Sequence, residues 1–414
     1  MPNFKSYFEY TSFKSRRKSN GKTNFRNNKK TEAILLIDSP GLSHYTSYLA
    51  YGISRYRDVI LYGFSSEDYF VTGAATQKRI EFYDIRKKLP KGKSTLKIIS
   101  ESVLLFFILF KAFTKSGYDI VHIQGYLPMF FFFIPMLKLR RKKIFWTVHD
   151  VNFRPTNAGI RGKLDFIYTE TVTETSILRK FSDMIIVHGY LLKNQLCAKG
   201  VNDKKIRVIP HFDYRYLLND RKQGNSKINN GLWTIPTGYV LFFGRISPYK
   251  GLELLVKASR IVKNTIGYEF ILLIAGEGDI SSLKNHMSEE DYAYIHIINK
   301  RIPYKQIPNL FNGAKLVILP YIDASQSGVI PLAYTFSKPV IVSNVGSLTE
   351  YVEHGKTGLI FESNNTEQLV NYIIELIKNK EFCIQMGNNA KRKLLNEMSL
   401  ELCCDKLNNL YNTV

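Results

Sequence analysis

A short apolar run that ends in a polar or glycine-containing loop recurs along this chain and constrains its fold more than any other feature. The first half carries such runs at 32–38, 119–123, 143–149, 184–188 and 206–210, and the second half at 239–244, 270–275, 296–298, 316–320 and 339–343. Continuous apolar runs of this length are typical of strands buried on both faces, and the stretches between them can form helices. The alternation predicts an α/β fold with two parallel, doubly wound sheets.

The two series of runs predict two domains, since 414 residues exceed the usual size of one domain. A polar stretch rich in Gly and Asn separates them. We expect a basic disordered tail at 1–30, an N-terminal Rossmann-like domain at 31–218, a linker at 219–236, a C-terminal Rossmann-like domain at 237–396 and a helix at 397–414 that packs back toward the N-terminal domain. Two such domains form a cleft, and ligands bind at the carboxyl ends of their strands.

The positive charge lies mainly in the first half of the chain. Of the net charge of +23, residues 1–200 contribute 33 Lys and Arg against 15 Asp and Glu, whereas residues 201–414 contribute 25 against 20. We therefore expect any contact with an anionic membrane in the first half, and no nucleic-acid partner, because no recognition helix, zinc spacing or RNA-binding aromatic motif accompanies the charge. Four cysteines without metal-ligand spacing and a polar N-terminus predict a reduced, cytoplasmic protein.

Two apolar segments in the first half, at 103–113 and 127–137, are followed by lysines and arginines. Neither reaches the roughly 20 residues needed to span a bilayer. They could be helices buried against the sheet, or helices whose outer faces rest on anionic lipid. The second reading places the protein peripherally on the inner face of the cell membrane.

Two cations flank a loop that follows a predicted strand in the second half. Arg245 stands where the strand ends, and Lys250 stands just before the next predicted helix, with Gly251 permitting close backbone approach. Fixed cations at a helix N-terminus form a site for a diphosphate. Taken alone, the same residues could be solvated loop charges.

Further elements follow this loop in a fixed order. They are Gly276-Glu277-Gly278, Leu319-Pro320, Lys338-Pro339-Val340, Gly346 with Glu350, and Gly355 with Gly358. Over residues 239–375 this order resembles the retaining GT-B glycosyltransferases of the family 4 type, also called glycosyl transferases group 1. The resemblance implies two Rossmann-like domains that face each other across a cleft, with a nucleotide-sugar donor in the C-terminal domain and the acceptor on the N-terminal one. It also implies transfer of a hexose with retention, without metal or cofactor.

The family's acceptors lead us to expect a saccharide or a lipid-linked saccharide, in bacterial surface polysaccharide biosynthesis. By resemblance, Arg245 and Lys250 bind the diphosphate, and His149 contacts the transferred sugar near the reacting centre. A lone His after a strand can also be purely structural. The implied donor-binding residues are Gly41, Gly276, Gly278, Arg301, Ile302, Ser325, Gln326, Ser327, Gly328 and Val329, and the implied acceptor-binding residues are His44 and Asp150. Asp150 could instead cap the following turn.

One departure from the family pattern concerns two glutamates that contact the sugar and the ribose. Their positions fall at Ala324 and Leu332, and the only nearby acid is Asp323. The run from Ser325 to Gly328 still offers hydroxyls, an amide and backbone N–H groups before a predicted helix, which indicates a variant site. The alternative is a catalytically silent homologue that acts as a partner or scaffold subunit. An oxidoreductase is excluded, since no Gly-x-Gly-x-x-Gly opens the first helix.

Overall fold

The structure is a computed structural model, and it describes residues 33–39, 41–89, 95–125, 130–150, 174–218, 237–267 and 270–414. The tail expected at 1–30 and the linker expected at 219–236 lie outside the described residues. The two sheets described below belong to one compact unit, Glu32–Val414.

The first half forms a seven-stranded parallel sheet in the order β3-β2-β1-β4-β5-β6-β7. Its strands are β1 (Ile34–Ile37), β2 (Val59–Gly63), β3 (Ile80–Asp84), β4 (Ile120–Gln124), β5 (Lys143–Val148), β6 (Met184–Val187) and β7 (Ile206–Val208). The described helices between them are α1 (Ser43–Ile53), α2 (Ser66–Val71), α3 (Thr95–Thr114), α4 (Phe130–Leu139), α5 (Glu174–Phe181) and α6 (Tyr190–Ala198).

The second half forms a six-stranded parallel sheet in the order β10-β9-β8-β11-β12-β13. Its strands are β8 (Tyr239–Phe243), β9 (Leu272–Ala275), β10 (Ile295–Ile298), β11 (Ala314–Leu319), β12 (Val340–Ser343) and β13 (Gly358–Phe361). The described helices are α7 (Leu252–Ile266), α8 (Ser281–Asn285), α9 (Ile307–Gly313), α10 (Val329–Thr335), α11 (Leu348–Tyr351), α12 (Thr366–Lys378), α13 (Lys380–Glu397) and α14 (Leu400–Thr413).

The α/β prediction with two parallel sheets is confirmed, and each run that the sequence marks as a strand contains one. Apart from Lys143, Phe243 and Lys315, the strands inside the two sheets are buried, as continuous apolar runs require. The sequence analysis missed β2, β3 and β13. Strand β3 lies at a sheet edge, and Glu81 and Asp84 interrupt its apolar run, whereas β2 is a buried apolar strand inside the first sheet that the same pattern marks.

Side-chain caps fix where the last helices begin. Asn365 accepts a hydrogen bond from the backbone N–H of Gln368 at 2.9 Å, and Asn379 accepts one from Phe382 at 3.0 Å. At the start of α14, the hydroxyl of Ser399 accepts a hydrogen bond from the backbone N–H of Leu402. Such caps satisfy backbone donors that the first turn of a helix leaves open.

Each sheet reverses its strand order once, and the reversal sets the place of the site. The order turns between β1 and β4 in the first sheet and between β8 and β11 in the second. At such a point the loops at the carboxyl ends run to opposite faces of the sheet and leave a crevice, where ligands bind in open α/β sheets.

Helix α14 joins the C-terminal end of the chain to the first sheet. Asp213, which follows β7, accepts a hydrogen bond from the backbone N–H of Leu400 at 2.8 Å. At the other end of α14, the hydroxyl of Tyr411 lies 2.5 Å from Nδ1 of His122 on β4. The helix packs on α1 so closely that a Cβ at Gly52 would lie 2.4 Å from Sγ of Cys404.

Helix α11, in the second half of the chain, also contacts the first half. The carboxylate of Glu350 accepts hydrogen bonds from the backbone N–H groups of Tyr190 (2.5 Å) and Leu191 (2.9 Å). Those groups open helix α6, where a negative charge is stabilised. The hydroxyl of Tyr351 donates to the carbonyl oxygen of His188 at 2.7 Å.

Burial of His122 gives the stability of this structure a pH dependence that can be measured. Its ring is fully buried between Tyr411 and Thr147, and burial lowers its pKa to about 3. The folded state therefore binds fewer protons than the unfolded state between pH 6.5 and 3, and acidification through that window lowers the free energy of unfolding. One such histidine contributes up to about 1.4 kcal/mol per pH unit. In denaturant unfolding at pH 7, 6 and 5, we expect His122→Gln to reduce the slope by most of that amount between pH 6 and 5 and by about half of it between pH 7 and 6. An unchanged slope would contradict the assignment.

Candidate functional site

A cavity of about 450 Å³ lies between the carboxyl ends of the two sheets. Its wall combines histidines and tyrosines from the first sheet with cations and glycine loops from the second. A cavity of this size accommodates a small molecule. It is the place that the reversal of strand order predicts in each sheet.

Among the described residues, three cations line the cavity, namely Arg245, Lys250 and Arg301. The ammonium nitrogen of Lys250 lies 3.6 Å from the ring centroid of Tyr321 and 4.9 Å from that of Tyr249. Tyr321 is almost fully buried at the end of β11. A cation over an aromatic face is attracted by the ring quadrupole, so Tyr321 fixes where the Lys250 charge lies.

Gly251 makes this arrangement possible because it lets the start of α7 approach β11. Its φ is +67°, and a Cβ at this position would lie 1.8 Å from the carbonyl oxygen of Pro320. The backbone N–H of Ile322 donates to the carbonyl oxygen of Tyr249 at 2.8 Å. The two strand-end loops are therefore in direct backbone contact, and that contact brings Lys250 to Tyr321.

The loops after β8 and β9 pair with each other in the same way. The backbone N–H of Gly244 donates to Ala275 at 3.0 Å, and that of Ile246 donates to Glu277 at 2.9 Å. A Cβ at Gly276 would lie 1.9 Å from the carbonyl oxygen of Gly244, so only glycine allows this contact. The pairing places Glu277 beside Arg245. Among the described residues that line the cavity, Glu277 is the only carboxylate.

The segment that replaces the family glutamates contributes polar groups. Gln326, Ser327, Gly328 and Val329 line the cavity, whereas Ser325 is buried behind them. Within the described residues, the side-chain oxygen of Gln326 is buried without a hydrogen-bond partner. The helix predicted after this run is α10, which begins at Val329 and is seven residues long.

The two positions where the family glutamates would fall carry no charge in the structure. Leu332 lines the cavity with an apolar side chain, and Ala324 is buried. Its carbonyl oxygen lies against Gly346, where a Cβ would approach to 1.7 Å. The cavity wall therefore carries no carboxylate at either of these two positions.

Three histidines form the opposite wall: His44, His149 and His211. Burial is the main cause that lowers the pKa of each ring. Removal from water disfavours a charged ring, so these histidines are neutral near pH 7. The cavity therefore has cations on the side of the second sheet and neutral hydrogen-bonding rings on the side of the first.

The cavity brings together most of the residues that the sequence singles out, namely His44, His149, Arg245, Lys250, Gly276, Arg301, Ile302, Gln326, Ser327, Gly328 and Val329. Gly41, Gly278, Ser325 and Asp150 are not among the described residues that line it. The backbone N–H of Gly278 is engaged with Asn299 at 3.0 Å.

Sequence reasoning missed other residues of the wall: His211, Tyr214, Tyr321 and Glu277. Two of them carried a usable signal. Glu277 stands between two glycines already assigned to donor binding, and His211 directly follows the apolar run at 206–210. In the part of the chain that the structure describes, no group of three or more His, Cys, Asp or Glu could hold a metal ion.

A second feature is an apolar surface on α3 and α4, which we call the aromatic face. It consists of exposed side chains of Val103, Leu104, Phe107, Phe110 and Phe132. The rings of Phe107 and Phe132 both contact that of Phe106, at 5.9 and 6.1 Å between centroids. Exposed cations lie nearby at Lys111 and at 140–141. The inner faces of both helices are buried against the core, and their outer faces are exposed.

Two protein-family models match this chain. Glycosyltransferase Family 4 matches residues 63–212, and Glycosyl transferases group 1 matches residues 234–393. The *Escherichia coli* UDP-Gal:alpha-D-GlcNAc-diphosphoundecaprenol alpha-1,3-galactosyltransferase is 24% identical over 314 residues, which are 73% of this chain and 77% of that protein. The *Staphylococcus aureus* capsular polysaccharide biosynthesis glycosyltransferase CapM is 26% identical over 243 residues, 56% of this chain and 62% of that protein.

Solved structures show the same fold. *Anabaena* Alr3699/HepE in complex with UDP-glucose superposes with a TM-score of 0.65 at 16% identity, covering 92% of this chain and all of that one. WaaG, a glycosyltransferase of lipopolysaccharide biosynthesis, superposes with a TM-score of 0.63 at 14% identity and the same coverage. The fold is thus GT-B, with two Rossmann-like domains. The chain belongs to the group 1, family 4 glycosyltransferases, and it is a glycosyltransferase.

Proposed function

We propose that this enzyme transfers a sugar from a nucleotide-sugar donor to a saccharide or lipid-linked saccharide acceptor, with retention, in bacterial surface polysaccharide biosynthesis. The observation that carries the proposal is the group of three cations, Arg245, Lys250 and Arg301, on one side of the cavity. The names of relatives support it: the *E. coli* relative is named for UDP-Gal and a diphosphoundecaprenol acceptor, and CapM for capsular polysaccharide. HepE was crystallised with UDP-glucose.

The diphosphate lies between Arg245 and Lys250 in this proposal. Negative charge grows on the leaving diphosphate as the glycosidic bond breaks, and fixed cations in a largely dry cavity stabilise that charge. Tyr321 holds the ammonium of Lys250 in place before the donor arrives, so little reorganisation is needed. Arg301 and Ile302 hold the base end of the donor, with the backbone of Ile302 as the contact.

The bases that the cavity offers support retention. A covalent intermediate needs a carboxylate at the anomeric carbon, and none of the described cavity-lining residues of the first sheet is acidic. His44, His149 and His211 have lowered pKa values and are weak bases. The leaving diphosphate then takes the proton of the acceptor hydroxyl on the same face of the sugar. We place the acceptor near His44, which lines the cavity.

Replacing Lys250 tests the diphosphate site. We expect Lys250→Ala to lower kcat about 10²- to 10³-fold, as the loss of one group that stabilises transition-state charge does, with the protein still folded. The measurement is release of the nucleoside diphosphate in the presence of acceptor. The control is Lys257→Ala, which removes an exposed lysine from the same helix region. Wild-type turnover in Lys250→Ala would remove the assignment. A wild-type protein that binds nucleotide sugars without turnover would instead be the silent homologue.

Glu277 supplies the missing carboxylate in our proposal. Backbone pairing of its loop holds it beside Arg245, and no other described residue lining the cavity is acidic. A carboxylate accepts hydrogen bonds from two neighbouring hydroxyls, which is the pattern of the ribose diol. We therefore assign Glu277 to the ribose of the donor nucleotide.

A deoxynucleotide comparison tests this role. We expect wild-type enzyme to bind a nucleoside diphosphate at least about a hundredfold more tightly than its 2′,3′-dideoxy analogue, because two hydrogen bonds to a charged group are lost. Glu277→Gln, which loses the charge and keeps one acceptor oxygen, should discriminate less between the two in calorimetric titration. The matched control is Glu253→Gln, which removes an exposed carboxylate that does not line the cavity. Undiminished discrimination in Glu277→Gln would exclude Glu277 from ribose recognition.

The acceptor is presented at a membrane surface in this proposal. No helix in the described residues is long and apolar enough to cross a bilayer. The aromatic face can instead insert shallowly, with Lys111 and the arginines at 140–141 near anionic headgroups. Each such cation near the surface contributes about 1 kcal/mol. We therefore propose a peripheral position on the inner face of the cell membrane, within reach of a lipid-linked acceptor.

Vesicle binding tests this placement. Phe107 and Phe132 are 60% and 61% exposed, so replacing both with Ser removes apolar area without disturbing the core. We expect the double variant to bind phosphatidylglycerol vesicles at least about tenfold more weakly in co-sedimentation. Ile384→Ser is the control, since Ile384 is 64% exposed on the second half of the chain. Equal binding by wild type and the double variant, or binding unaffected by high salt, would contradict the proposal.

A further inference from the structure

A chain of hydrogen bonds runs across the ends of three neighbouring strands of the first sheet. The register pairs Val148 with Val187 and Val187 with Val208, so the residues that follow, His149, His188 and Ile209, also lie side by side. Nε2 of His188 is 3.2 Å from Nδ1 of His149, and Nδ1 of His188 is 2.9 Å from the carbonyl oxygen of Ile209.

The positions of the protons in these hydrogen bonds follow from elementary chemistry. A carbonyl oxygen can only accept, so Nδ1 of His188 carries a proton and donates it to Ile209. In a neutral imidazole the other nitrogen is then bare, so Nε2 of His188 must accept from His149. Nδ1 of His149 therefore carries its proton, and Nε2 of His149 is left as a bare acceptor.

The free end of this series of hydrogen bonds, Nε2 of His149, lies at the cavity. His149 lines the cavity wall, and its Nε2 has no hydrogen-bond partner among the described residues. A buried acceptor without a partner is unfavourable, and a ligand hydroxyl would satisfy it. The series of hydrogen bonds ends at the carbonyl oxygen of Ile209 on one side and at the cavity on the other.

The two hydrogen-bonded histidine rings are held from two sides. The ring of Tyr45 packs edge-on against His149 at 4.9 Å and against His188 at 5.3 Å between centroids. The hydroxyl of Tyr351, on helix α11 of the second sheet, donates to the backbone carbonyl of His188 at 2.7 Å. Contact between the two halves of the chain therefore helps to hold His188 where it meets His149.

We propose that His188 is a positioning residue that fixes His149 in the tautomer with a bare Nε2, so that His149 accepts a hydrogen bond from a sugar hydroxyl. The proposal rests on the proposed transferase function for the identity of the ligand. The tautomer itself rests only on the geometry of the protein. His149 acts as an acceptor rather than as a base, since burial holds its pKa well below the usual range.

The tautomer can be measured without substrate. In the full-length protein labelled with ¹⁵N-histidine, two-bond ¹H–¹⁵N correlations distinguish a protonated ring nitrogen from a bare one. We expect Nδ1 of His149 to be protonated and Nε2 to be bare, with the resonance assigned by its loss in His149→Gln. In His188→Leu, which keeps bulk but removes the acceptor, the two tautomers of His149 should become mixed. The Nε2-protonated tautomer of His149 in the wild-type protein would overturn the proposal.

Kinetics provide the second readout. We expect His188→Leu to lower kcat/KM about tenfold, the size of one lost hydrogen bond, and His188→Gln to restore most of it because the Gln oxygen can accept from His149. His122→Gln is the control for loss of a buried histidine outside the cavity. Full activity in His188→Leu would contradict the role, and if that variant does not fold, His188→Gln and the wild-type spectrum decide.

Two further comparisons identify the source of the hydroxyl and separate the two proposals. Donor hydrolysis without acceptor falls in His188→Leu if the hydroxyl belongs to the donor sugar, and only transfer falls if it belongs to the acceptor; either result supports the role of His188. A wild-type protein with the expected tautomer but no transferase activity would remove the proposed function and leave the tautomer assignment standing.

Discussion

Direct backbone contact between strand-end loops is the constraint on which the candidate site depends. The carbonyl oxygen of Pro320 occupies the space where a side chain at position 251 would begin, and that of Gly244 does the same at position 276. Only glycine permits such contacts. They bring the ends of β8, β9 and β11 close enough for Arg245, Glu277 and Lys250 to line one cavity.

The two halves of the chain meet through hydrogen bonds between particular side chains and backbone groups. Glu350 caps helix α6 of the first half, and Tyr351 donates to the backbone of His188. Helix α14 returns to the first sheet, where Tyr411 reaches the buried ring of His122. These contacts set the histidine wall opposite the cations. The resulting cavity separates positive charge from neutral acceptors, a distribution that suits a diphosphate at one end and sugar hydroxyls at the other.

Much of this arrangement could be predicted from the sequence because strand ends are readable. A parallel strand is a continuous apolar run, and functional groups follow its carboxyl end, so Arg245, Lys250 and His149 could be singled out. Asp150 also follows a strand, yet it does not line the cavity, since adjacent residues after a strand point in different directions. Strand β3 was missed because charged residues interrupt its apolar run, whereas β2 carries a continuous apolar run and could have been predicted.

The sequence by itself determined the α/β class, the order of the family elements and the absence of the two glutamates. It could not determine which side chains from distant segments share a wall, because that depends on strand register and on the packing of two sheets. Only the tertiary structure brought Glu277 beside Arg245 and His188 beside His149. It also divided α3 into a buried face and the exposed aromatic face, because burial depends on which neighbours cover each side of a helix.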